Sequence, residues 1–407
     1  AGIDLTPRRP VLREVDVRPG SAFDLMRESI SGLGSLSGRT GEEYSRLSTQ
    51  EWSDVAFTNL AVSLDTFQTN LVLARQTVAT PGLQVPTCDS MSARLPYIAG
   101  TRGLVRLLQA SAYRKASRGD CAGAFADLKT GLEFGIASSQ GGTAIMHLVD
   151  VACSGLAAKG MLRIAARQPV PESVATNMIR DLAAIEVKVE PLAEMFRYEY
   201  LMVSNDVSSQ PLANMLDMGC SGGSVEAKIL IRVAPLLGST RQTVERNLRA
   251  CYTHLVHLSA MPWNPVAWNE FDARFEGHSS IWSILKRRDP AGFVAATMVI
   301  PGMSNAAYKS VQRLFLLRGA RVFLAVDLYN RKYGKLPAAA GDLLPEFLPE
   351  VPLDPFDGKP IRFKPGENGT WKVYSVGRNG VDDGGMGDSI QGEDIVLSPV
   401  EFRLRRP

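Results

Sequence analysis

Pro352-Leu353-Asp354-Pro355-Phe356-Asp357-Gly358-Lys359-Pro360-Ile361 is followed, after nine intervening residues, by Trp371-Lys372-Val373-Tyr374-Ser375-Val376-Gly377-Arg378-Asn379-Gly380-Val381-Asp382-Asp383-Gly384-Gly385. This stretch decides the fold, because its two short apolar runs alternate as strands do and are bounded by turn formers. Asp354-Pro355 and Asp357-Gly358 are turn dipeptides, and Asn368-Gly369 is a strong hairpin signal. Ile361 and Phe363 fall on one face of the first predicted strand, and Trp371, Val373 and Ser375 on one face of the second. Beyond Tyr374 comes a glycine-rich loop carrying Asn379, Asp382, Asp383, Asp388, Glu393 and Asp394. Oxygen-bearing side chains spaced by glycines suit a hard cation, which needs the backbone to wrap closely around it. The same composition also describes a solvated turn. The loop departs from the EF-hand pattern, since counting from Asn379 puts Ile390 where a bidentate glutamate is needed.

Working outward, the segment from Val311 to Ser398 resembles the globular domain of the major pseudopilin of bacterial type II secretion. The motifs that carry the resemblance run in order. They are the tail of a long helix, Tyr333-Gly334-Lys335-Leu336-Pro337, then Asp354-Pro355-Phe356-Asp357-Gly358-Lys359-Pro360-Ile361, then Tyr374-Ser375-Val376-Gly377-Arg378-Asn379-Gly380 with Gly384-Gly385 and Asp394-Ile395. The resemblance implies a small α+β module with an antiparallel sheet. It also implies a structural Ca²⁺ in the final loop, held by side-chain oxygens from among Asn379, Asp382, Asp388 and Asp394 with backbone carbonyls near Val376. Two departures stand out: Asn379 replaces the family's aspartate, and extra residues separate Gly384-Gly385 from Asp394. The family's apolar polymerisation helix has no counterpart, so the module is expected not to form filaments by itself.

Bulk properties allow two or three domains in 407 residues. Hydrophobic content of 45% with 21% charged residues fits a globular chain with a real core. The net charge is only +3 and the basic residues are scattered along the sequence, so nucleic acid is not an expected partner. No segment reads as a membrane span: Gly292 to Ile300 is too short, and Thr143 to Ala166 is interrupted by His147, Asp150, Lys159 and Arg163. The sequence begins at Ala1 without methionine, so removal of an upstream segment is expected, by processing or otherwise. A signal peptide or N-terminal anchor would fit, and an exported protein of the bacterial periplasm or surface is the expectation. Cys88, Cys121, Cys153, Cys220 and Cys251 form no Cys-x-x-Cys pair. One or two disulfides would suit an exported protein, but buried free thiols are the preferred reading.

Residues 1–20 hold three prolines and read as an extended arm. Helices are expected over Ser21–Ile30, Thr49–Val78, Leu104–Gly119, Asp120–Ser138, Thr143–Gln168, Pro171–Val187, Pro191–Val203, Val225–Ser259 and Asn305–Arg331, with shorter pieces at Pro265–Phe275 and Ser279–Lys286. Gly119-Asp120 followed by Ala124, Leu128 and Leu132 is reminiscent of the middle of a tetratricopeptide repeat. No second copy is evident, so a plain helical hairpin is preferred. The fold class is therefore mainly α. A helical bundle or short solenoid fills residues 1–303, and the pseudopilin-like α+β module fills 304–407.

The helical part offers little chemistry. Cys251, His254 and His257 share one side of a helix but lack a completing carboxylate, and read as ordinary packing residues. Glu194, Glu199 and Asp206 resemble a carboxylate line, as do Glu270 and Asp272, but acids on solvated helix faces are commonplace and these alone do not suggest paired acid/base catalysis. Trp263, Trp268, Phe271, Phe275 and Trp282 could line a groove, but more readily pack a junction between helices. No nucleophile elbow, phosphate loop, dinucleotide fingerprint or zinc-protease motif is present. Two function classes follow. One is a non-enzymatic exported protein, a helical platform bearing a calcium-stabilised module that works by protein–protein contact in a surface, secretion or pilus-like assembly. The other is an exported hydrolase or ligand-binding protein with its cleft among the helices and the module as a cap.

Overall fold

The computed structural model describes residues 3–12, 14–33, 62, 64–93, 95, 97–209, 241–274, 300, 302–366, 370–387 and 393–399. The fold is mainly helical, with a small three-stranded antiparallel sheet near the C-terminus. In chain order the helices are α1 Ala22–Ser29, α2 Gln68–Ala79, α3 Tyr97–Ser117, α4 Cys121–Ser139, α5 Ala144–Arg167, α6 Glu172–Lys188, α7 Leu192–Ser209, α8 Arg241–Ser259, α9 Pro265–Ala273 and α10 Met303–Tyr333. The strands are β1 Arg362–Pro365, β2 Trp371–Ser375 and β3 Ile395–Leu397. Residues 49–61, 225–240 and 279–286 of the expected helices lie outside the described residues.

The α3–α4 hairpin is built locally. Gly119 adopts a positive φ of 86° at the turn, a conformation glycine takes without cost. Asp120 then caps α4 by accepting a 2.8 Å bond from the Gly123 amide. The helix α3 begins at Tyr97 rather than Leu104. Gly100 and Gly103 interrupt the apolar period, but a Cβ at either would press on Ile30 or on the Leu33 carbonyl. Close approach also sets the α4–α5 crossing, where a Cβ on Gly135 would stand 2.6 Å from Cβ of Cys153. Among the described helices, α5 is the one long and apolar enough to cross a membrane, and here it packs against α3, α4 and α10.

The carboxylate line on and before α7 does structural work. Glu190 accepts from the Gly141 amide, Glu194 from Arg8, Glu199 from Ala144 at the start of α5, and Asp206 from Met91. All four acids are buried, and each satisfies a backbone N–H that would otherwise be orphaned. Together they pin the N-terminal arm and two loops to the bundle. The line runs past Val203 because α7 continues to Ser209, burying Asp206 and Val207. Four cysteines are free thiols: Cys88, Cys121 and Cys153 are buried and Cys251 half-buried, while Cys220 lies outside the described residues.

Helix α10 belongs to both halves of the chain. It packs against α5 and α6, and also against β2 and β3. Arg318 shows the double role in one side chain, pairing with Glu186 of α6 at 2.7 Å and donating to the Leu353 carbonyl at 2.8 Å. The helix ends at Gly334, whose φ of 68° supplies the left-handed cap. The sheet order is β1-β2-β3, with Phe363 opposite Val373 and Val373 opposite Leu397. Trp371, Val373 and Ser375 are all buried, as the alternation predicts, and α10 covers that face with Phe323 against Trp371 at 5.7 Å. The hairpin closes through Gly366 and Thr370, while residues 367–369 lie outside the described part. The larger hydrophobic cluster runs from Leu5 to Leu397, and a small one joins Val105, Val149 and Cys153.

Candidate functional site

The acidic C-terminal module is organised around a residue the sequence presents as a plain turn former. Asp354 is fully buried and accepts hydrogen bonds from the Phe356 amide at 3.0 Å, the Ser375 hydroxyl at 2.8 Å and the Val376 amide at 3.1 Å. It therefore ties the turn before β1 to the end of β2. Arg362 then reaches three carboxylates: Asp357 at 2.6 Å, Asp382 at 2.8 Å and Asp354 at 3.4 Å. Charge-assisted bonds to a planar guanidinium hold such a cluster in fixed geometry.

The expected calcium donors lie as follows. Val376 is buried at the end of β2, with its amide on Asp354. Asn379 accepts from the Val381 amide at 2.9 Å and donates to Asp383 at 3.3 Å. Asp382 accepts from Gly384 at 3.0 Å with one oxygen and faces Arg362 with the other. Asp394 is buried, with its two oxygens on the amides of Gly385 at 2.6 Å and Asp383 at 3.4 Å. Burial raises its pKa, those amides lower it, and the Asp383 and Asp382 carboxylates add to the rise. Asp388 lies outside the described residues. Gly377 is irreplaceable at its place, since its φ is 64° and a Cβ would stand 2.2 Å from the Glu393 carbonyl oxygen. Among the described residues no three acid, histidine or cysteine side chains converge as a metal shell. Asp382 and Asp394 are turned instead to Arg362 and to backbone amides.

The loop is not free of the helical part. Trp263 donates from Nε1 to the Arg378 carbonyl at 2.9 Å, stacks on Trp268 at 5.4 Å and meets Phe356 edge-on at 5.7 Å. The aromatic group is thus a packed junction in its described members, with Phe275 and Trp282 outside the described residues. His254 stacks on Phe271 at 5.5 Å, and His257 is exposed.

Two arrangements escaped the sequence reading. One is a buried polar cluster between α5 and α10: His147 Nε2 lies 2.7 Å from Ser310 Oγ, and Asp150 is paired with Arg313 and bonded by Ser154. Burial, reinforced by Arg313, holds the His147 pKa well below 6.5, so the imidazole is neutral. Ser310 is buried as well, and its hydroxyl bonds the Ala306 carbonyl at 2.7 Å, a helix-backbone role. The other is a cavity of about 510 Å³ between α3, α5 and α10, with Arg102, Arg106, Lys159, Arg163, Lys309 and Arg313 in its wall. The signal lay in the spacing. Each helix contributes two cations four residues apart, which places the pair on one face. Any one pair reads as a solvated face, and only the tertiary packing brings the three together.

No family model matches the chain, and neither does any curated protein or solved structure in the comparisons made.

Proposed function

We propose that the protein is a non-enzymatic, exported component of an envelope, secretion or pilus-like assembly, in which a helical platform presents a pseudopilin-like module to protein partners. The observation that carries this reading is the architecture of the module. A long helix ends at a glycine cap, a three-stranded antiparallel meander packs on its flank, and the Asp354 turn and glycine-rich loop close the sheet, in the order the resemblance implies. Contact chemistry is available on this module, where Leu353, Val381 and Met386 expose large apolar side chains. Trp263 and Arg318 fix the module to the platform, so a partner would meet a preorganised surface. The test is the native size and location of the full protein in gently extracted cells. A complex larger than the 44.2 kDa chain, outside the cytoplasm, is expected. A free cytoplasmic monomer overturns the reading.

A further inference from the structure

The cavity between α3, α5 and α10 combines concentrated positive charge with a wall that has no acidic member among the described residues. Arg102 and Arg106 come from α3, Lys159 and Arg163 from α5, and Lys309 and Arg313 from α10. Gln109 and Gln312 add polar groups, and Leu156 and Leu316 line the rest. Arg313 is neutralised by the buried Asp150. Arg163 donates to the Tyr113 hydroxyl at 2.7 Å, and Lys309 to Gln312 at 3.1 Å, neither of which supplies negative charge. The Nε groups of Arg163 and Arg313 are shielded from solvent without a hydrogen-bond partner. Such donors cost stability unless something accepts from them. Bringing like charges together in a partly enclosed, low-dielectric space adds a repulsive cost that a bound anion would remove.

Size and shape select among anions. The volume falls in the roughly 300–1,000 Å³ range of small-molecule sites. The cations line a concave wall rather than a ridge, so the site suits a compact ligand and not the convex face of a duplex. We propose that this cavity binds a small polyanion carrying two or more phosphate groups, with Arg102, Arg106 and Lys309 at its accessible rim and Arg163 and Arg313 deeper. This assignment is independent of the protein-contact reading. Inorganic triphosphate and a nucleoside triphosphate share the recognising chemistry and differ in whether the apolar wall meets a base.

The experiment is calorimetric titration of the full chain with inorganic triphosphate and, separately, with a nucleoside triphosphate. Saturable one-site binding is expected with at least one of them, tighter than about 1 mM and weakening as ionic strength rises. Binding by both at equal strength identifies the phosphate chain as the ligand, and tighter binding of the nucleotide adds recognition of the base. The double variant R102Q/R106Q, and K309Q separately, should each lose about tenfold or more in affinity, while the control R8Q/R18Q on the N-terminal arm keeps it. Circular dichroism melts of each variant confirm that it is folded. The proposal is overturned if neither probe binds, if the control weakens binding as much as the rim variants, or if a short duplex oligonucleotide binds more tightly than either probe.

Discussion

The indole Nε1 of Trp263 donates a 2.9 Å hydrogen bond to the main-chain carbonyl of Arg378, and through it the glycine-rich loop is fastened to the helical part of the chain. The ring itself is 8% exposed and packs against Trp268, Tyr308 and Phe356. Arg378 adds a second tie, lying over the Tyr308 ring at 5.5 Å. The junction therefore combines one directional bond with a large apolar contact, and the two can be separated by mutation.

Trp263→Phe should remove the bond while keeping most of the ring, at a cost of about 1 kcal/mol. Trp263→Ala should cost about 3–5 kcal/mol, the range for truncating a buried aromatic. Urea unfolding followed by circular dichroism checks both. Equal losses in the two variants would mean that the ring contributes nothing beyond its bond.

Arg362 should matter more to the module than calcium does. Its guanidinium links Asp354, Asp357 and Asp382, so Arg362→Gln leaves a buried carboxylate undercompensated and should cost about 1–3 kcal/mol. Wild-type melting curves with EDTA and with calcium should coincide. A chelation shift as large as that of Arg362→Gln would show that a metal stabilises this loop.

Glu190 gives the bundle a pH dependence. Burial raises its pKa from 4.5 to about 7, against the opposing pull of the Gly141 amide and Arg9. The folded state therefore holds the proton more tightly than the unfolded state. This contribution is fully present below about pH 4.5 and is lost as pH rises through about 7, amounting to roughly 3 kcal/mol. In Glu190→Gln, which keeps an acceptor for Gly141, that slope between pH 4.5 and 7 should vanish. A variant with the wild-type slope assigns the titration to another group.

Gly135→Ala tests the α4–α5 crossing. Alanine gains about 1 kcal/mol of helix propensity, yet its Cβ would stand 2.6 Å from Cβ of Cys153, an atom fixed to the backbone. Overpacking of this kind costs about 1–3 kcal/mol, so the expected net effect is destabilisation, read as a lower Tm. A rise in Tm would show that the helices part without cost.

The parts legible in sequence were those set by local chemistry. Gly119 and Asp120 announce the α3–α4 hairpin because a left-handed turn and a capping carboxylate act within a few residues. The alternation of Trp371, Val373 and Ser375 gave the buried face of β2. Other roles depend on partners far away in the chain. Asp354 looks like an exposed turn aspartate until Ser375 and Val376 close over it. Glu199 reads as a solvated acid, although it caps the first amide of α5 from 55 residues away. The cation pairs of α3, α5 and α10 acquire meaning only once those helices face one cavity.

The most direct measurement for the protein-contact account is site-specific photo-crosslinking in intact cells of the source organism. A crosslinker at Val381 or Met386, on the exposed face of the loop, is compared with one at Val187, the highly exposed apolar position at the end of α6. The account predicts a discrete adduct with an envelope protein from the loop positions and none from Val187. Identical products from all three positions, or no adduct from any of them, would contradict it.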